Sequence, residues 1–153
     1  MAISVKSQLM AALESGLKGI EELKMVKRIE KSPIHLDKIP FPSAFFWDER
    51  EMVRRNPGGL QDGLAEAELT LLIYVVLRFN AGKPDTINYL MDTIQAKIQN
   101  LLVGDPGIWA IAAKVNPITV DKEWPTDVLA ALIIRATIYY HHAWVDAFSL
   151  TAR

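Results

Sequence analysis

Cysteine is absent from the 153 residues, and histidine occurs only three times. Without thiols the chain can form no disulfide, no thiolate metal site and no cysteine nucleophile, and it fits a reducing cytoplasm. His141 and His142 are adjacent, so on a strand they point to opposite faces and cannot chelate one metal together. His35 lies in a proline-rich stretch with no carboxylate or histidine at ligand spacing. All three read as structural or surface histidines, and no metal or cofactor is expected. Catalytic signatures are missing as well. There is no Gly-x-Ser-x-Gly elbow and no His-Glu-x-x-His helix; Gly58-Gly59 lacks a following lysine-serine pair, and Gly104 to Gly107 ends a helix instead of opening one. So little is left to activate a substrate that the chain does not read as an enzyme.

An excess of charge is also lacking. Lys and Arg number 17 against 18 Asp and Glu, a net charge of −1, which leaves no global footprint for nucleic acid or an anionic membrane. Arg78 and Arg135 interrupt the two most apolar stretches, so no membrane span is expected. The opening residues are amphipathic and carry Lys6, Glu14 and Lys18, unlike the continuous apolar core of a signal peptide. The expectation is a soluble chain of one domain, residues 1–153. Half of the residues are hydrophobic and mean hydropathy is slightly positive. For a chain of this size that suggests a subunit that buries further surface against copies of itself.

What is present is a strong pattern. Leu69 to Phe79 reads LTLLIYVVLRF. Leu69, Leu71, Ile73, Val75, Leu77 and Phe79 share one face of a strand, and Thr70, Leu72, Tyr74, Val76 and Arg78 share the other. The strand is expected over Glu66 to Phe79, and a closing strand over Thr126 to His142 follows Pro125. Between them Ile87, Leu90, Met91, Ile94, Ile98, Leu101 and Leu102 repeat at helical spacing, with Asp85 as N-cap. Val5, Leu9, Ala12, Leu13, Leu17 and Ile20 predict an opening helix over about Ile3 to Leu17. Lys24 to Glu30 alternates as a short strand. Lys31 to Pro42, with three prolines, reads as a loop or sheet-edge segment. Ile108 to Val115 and Ile118 to Lys122 fit short strands or extended loops, and the C-terminal AWVDAFSLTAR fits a short helix or a tail. The fold class is therefore α+β, a single mixed or antiparallel sheet of about four to five strands with helices on one face. Leu71, Ile73, Val75, Ile94, Leu101, Ile133 and Ile138 are expected to share its core.

Two surface features remain. Ser43 to Asp48, SAFFWD, is a compact aromatic strand; at least two of Phe45, Phe46 and Trp47 should pack inside, since no run of Lys and Arg supports base stacking. Asp48, Glu49, Arg50, Glu51, Arg54 and Arg55 follow as a mixed-charge group, leading through Asn56-Pro57-Gly58-Gly59 into a long connection to Gly63. Its plain reading is a solvated strand end and loop. Its functional reading is an inter-subunit contact, where opposite charges on neighbouring copies set register and orientation. Trp109, Trp124 and Trp144 sit at element edges or in loops, where tryptophan closes a core or anchors an interface.

The order of elements resembles the tail terminator family of long-tailed bacteriophages. The matching features are the amphipathic helix Val5 to Ile20, the Pro-rich loop feeding FPSAFFWDE at Phe41 to Glu49, and a long loop into ELTLLIYVVLRF at Glu68 to Phe79. The helix INYLMDTIQAKIQNLL, Ile87 to Leu102, and the strand DVLAALIIRATIYY, Asp127 to Tyr140, complete the set. The resemblance implies a homo-oligomeric ring of six that caps the finished tail tube, stops its polymerisation and offers its other face to the head connector. Its implied partners are copies of itself, the tube protein and the connector or neck protein, with DNA only passing through the lumen. The implied location is the virion tail, after assembly in the host cytoplasm. The FPSAFF segment also resembles head-completion and neck proteins. A small α+β enzyme or ligand-binding domain is the alternative from another class.

Overall fold

The structure, a computed structural model, describes residues 4–29, 38–55, 64–79, 84–143 and 146–150. Helix α1 spans Val5–Lys18, capped by Ser4, whose Oγ accepts the Ser7 amide at 3.1 Å. That hydroxyl satisfies one of the amides a helix start leaves without an internal partner. Strand β1 follows at Met25–Arg28. Strands β2 (Ser43–Arg55) and β3 (Leu64–Arg78) are long and antiparallel.

Helix α2 spans Pro84–Gly104. Since the helix already includes Pro84, Asp85 lies in its first turn and is not the N-cap. There its carboxylate faces the positive end of the helix dipole. Asp105 caps the four-residue α3, Pro106–Trp109, by accepting the Gly107 amide at 3.1 Å. Strands β4 (Ala112–Glu123), β5 (Leu129–Ala143) and β6 (Asp146–Leu150) complete the chain. The two tentative segments between Ile108 and Lys122 are thus a short helical turn and one strand with two register shifts. The C-terminal stretch is neither helix nor tail where it is described; it adds β6 beside β5.

The sheet is mixed and mostly antiparallel, in the order β1-β2-β3-β5-β4, with β6 beside β5. Among the described strands only β1 and β2 run parallel. The two long apolar strands β3 and β5 are direct antiparallel neighbours, paired from Leu64↔Ala143 to Arg78↔Leu129. Odd-numbered residues of β3 and even-numbered residues of β5 face the helices. Leu69, Leu71, Ile73, Val75, Leu132, Ile134 and Ile138 meet Ile94 and Ile98 of α2 and Leu9 and Leu13 of α1 in one core.

Two expected core members behave differently. Ile133 is buried, but the two-residue period of β5 turns it to the helix-free face. Leu101 is only partly buried; it lies against Gly16, where a Cβ would approach its Cδ1 to 2.3 Å. A missing side chain thus lets α1 and α2 come close. On the helix-free face Phe45, Leu72, Val76, Ala131 and Ile133 are also buried, so the sheet is apolar on both sides at its centre.

Candidate assembly surface

Strand β2 has two unlike halves. Ser43, Ala44, Phe45 and Phe46 are all buried, and their outer edge is covered by β1 in the register Met25↔Ser43 to Arg28↔Phe46. A bulge between Asp48 and Arg50 then shifts the pairing with β3. From Glu49 to Arg54 every residue is exposed. The strand nevertheless continues, pairing Arg50↔Thr70 through Arg55↔Ala65. The charged segment expected as a strand end and loop is therefore extended β-structure as far as Arg55. Asn56 to Gly63 lies outside the described residues, as do His35 and Trp144.

The six residues singled out in the sequence all lie on this strand, divided between its two faces. Asp48 and Glu51 turn toward the helices. Lys6 of α1 reaches Asp48 at 3.2 Å and Glu51 at 3.6 Å, and Arg28 stands 3.8 Å from Asp48. The Tyr140 hydroxyl donates to Glu51 Oε2 at 2.8 Å. Burial pushes the Tyr140 phenol far above its ordinary value, with the Glu51 hydrogen bond and nearby carboxylates adding to the shift. The phenol therefore stays a donor at any ordinary pH.

On the opposite face Glu49 meets Arg135 at 3.4 Å, and Arg135 also faces Asp121 of β4 at 3.8 Å. Arg54 contacts Glu68 at 2.8 Å, and His141 stands 3.5 Å from Glu66. Met52 and Val53, among the large apolar side chains the structure leaves exposed, sit between these charges. Sequence reasoning missed Lys6, Tyr140 and Arg135 as the partners of this segment. Each belongs to a distant element: the sheet register brings Tyr140 and Arg135 near, and the packing of α1 on the sheet brings Lys6. His141 and His142 lie on opposite faces, as strand alternation requires, the second buried.

The outer edge of β2 beyond Phe46 has no strand beside it among the described residues, and neither has the outer edge of β4. A shallow groove of about 490 Å³ lies between α1 and α2, lined by Gly16, Gly19, Leu101 and Lys97. Lys97 is hydrogen-bonded there to Glu22. Among the described residues no three His, Asp or Glu side chains gather where one ion could sit. No helix there is long and apolar enough to cross a membrane.

No protein-family model and no curated protein sequence matches the chain. Among solved structures it is similar to a chain of the virion of a native gene transfer agent particle, at 14% identity and a TM-score of 0.42. The likeness covers 92% of this chain and 96% of that one. At that identity and score it carries no argument about function.

Proposed function

We propose that the protein is a structural virion subunit that closes into a ring on the end of a phage tail tube, ends tube polymerisation and presents a docking face to the head connector. The observation that carries this reading is the exposed second half of β2, a charged strand that extends past the part β1 covers and has no strand on its outer edge among the described residues. The order of helix, hairpin, helix and closing strand supports it, being the order on which the family resemblance rests. Such a ring needs a heterologous interface whose rotation closes. One face must complement the last tube ring, and the other must be unlike it, so that no further tube subunit adds. Asp48, Glu49, Arg50, Glu51, Arg54 and Arg55 are placed at subunit or partner contacts in this reading.

Depletion of the protein in an infected culture tests it. Overlong tails are expected by electron microscopy, whether or not they join heads. Tails of normal length that fail to join heads identify a neck protein instead. Tails of normal length that join normally refute both.

A further inference from the structure

We propose that the sheet of one copy continues into the next through a specific strand pair, Arg50–Arg55 of β2 against Ile118–Glu123 of a neighbour's β4. This rests on the ring reading and adds to it the contact and its register. Three independent constraints meet in one register, the antiparallel alignment that sets Val53 opposite the neighbour's Val120.

The first is direction. Across the sheet β2, β3, β5 and β4 alternate in direction, so β4 runs antiparallel to β2. A copy rotated about an axis inclined to the strands, as in a closed barrel, brings its β4 beside β2 antiparallel, with helix-covered faces on the same side. The two edges also fit end to end. β1 occupies Ser43–Phe46, and the register shift between Val115 and Ile118 spoils β4 before Ile118.

The second is the phase of the backbone. The Phe46 carbonyl accepts from Ile29, so even residues of β2 point outward before the bulge and Glu51, Val53 and Arg55 point outward after it. Alternation carried through β3 and β5 leaves Ile118, Val120 and Lys122 of β4 pointing outward. These two outward sets face one another in the proposed register, as an antiparallel ladder requires.

The third is the side chains. On the helix-covered face Glu51 stands opposite the neighbour's Lys122 and Val53 opposite its Val120. On the other face Arg50 stands opposite the neighbour's Glu123. Cross-strand pairs of these kinds are favourable, and like charges directly opposite are not. Antiparallel pairing of β2 with its own copy about Met52 would instead set Arg50 against Arg54. The offset also suits closure. Phe46 is level with Val120 within one sheet, and from there to Val53 is about 20 Å along the strand, the bulge absorbing one residue. Over four strands at about 4.8 Å each this is a tilt of about 45°, against the roughly 35–45° of closed barrels.

The absence of cysteine makes the test direct. Met52→Cys with Asp121→Cys places two thiols on a non-hydrogen-bonded pair, where Cα atoms lie about 4.5 Å apart, within disulfide reach. Within one subunit the two positions are too far apart to join, so every disulfide links two copies. Mild oxidation should give a ladder on a non-reducing gel that ends at one closed size. Met52→Cys with Thr119→Cys, or with Glu123→Cys, moves the register by two residues and should link more slowly. Arg50→Glu should slow linking in the Met52→Cys, Asp121→Cys protein about tenfold, and adding Glu123→Arg should restore it. Linking no faster than in a Met52→Cys, Tyr89→Cys control, or faster linking by either shifted pair, overturns the proposal. Overlong tails on depletion alongside that result would leave the capping reading intact and remove only this contact.

Discussion

Removing one oxygen atom tests how the core holds the exposed half of β2. Tyr140→Phe deletes the hydroxyl that donates to Glu51 at 2.8 Å and keeps the ring, which is 2% exposed. A hydrogen bond to a charged group contributes about 1.5–3 kcal/mol, and the loss is largest when the orphaned partner stays dry. The Glu51 side chain is 26% exposed and keeps Lys6 at 3.6 Å, so water and an ammonium group can take the empty place. The expected loss is therefore at the low end, about 1.5 kcal/mol. Urea melts of the wild type, Tyr140→Phe, Glu51→Ala and the double variant form a cycle that isolates the pair from strand propensity and from Lys6. A coupling of about 1 kcal/mol is expected, above the ~0.3–0.5 kcal/mol by which independent sites fail to add. Coupling below that level would falsify the idea that this bond ties β2 to the core beyond its bulge.

Ile73→Ala, at a fully buried position in the central strand, should lose about 2–5 kcal/mol in denaturant melts; a loss below about 1 kcal/mol would mean its cavity closes freely. Gly16→Ala gains up to about 1 kcal/mol of helix propensity but drives a Cβ to 2.3 Å from Leu101 Cδ1. The single change should therefore destabilise and the Gly16→Ala, Leu101→Ala pair should suppress part of the loss; additive melts would contradict this. The Lys97 hydrogen bond lowers the Glu22 carboxyl below its ordinary 4.5, so its stabilisation is full above that value and fades as pH falls through the lowered one. The same bond raises the Lys97 ammonium, whose contribution is full below its ordinary value and fades as pH rises through the raised one. Lys97→Met should flatten both limbs of a stability–pH curve, and an unchanged curve would count against the pair. Arg54→Glu sets a carboxylate near Glu68 and Glu66, yet at half-exposed Arg54 the melt should shift by no more than about 1 kcal/mol; a larger loss would make Arg54 part of the fold.

The parts of the fold legible in the sequence are those where one face is dry and the other wet. In β3 the period of two shows because Leu69, Leu71, Ile73 and Val75 all meet the helices. In α2 the period of 3.6 shows because one stripe meets the sheet. The second half of β2 gave no such signal: both of its faces are exposed from Glu49 to Arg54, so charge replaces alternation and the segment reads as a loop. β4 was obscured differently, by Pro117 and two register shifts that break its period. The six charged residues were singled out from a local run of charge alone. Their division into two faces needed the bulge at Asp48–Arg50, which inverts the parity of every residue after it.

The apolar half of the composition suggested self-association, and the structure moves that argument elsewhere. Phe45, Leu72, Val76, Ala131 and Ile133 are buried on the helix-free face, so a sheet apolar on both sides at its centre already takes up that excess. Among the described residues few large apolar side chains are exposed, and Met52 and Val53 are two of them on the second half of β2. Association, if it uses this strand, is then directed by backbone and charge more than by greasy area. An unpaired edge accepts a strand from any source, and natural sheets commonly guard such edges with charge. Mixed charge guards and selects together. In the proposed contact the Arg50, Glu51 and Arg54 pattern would oppose pairing with the same strand of another copy and favour the strand that carries Lys122 and Glu123.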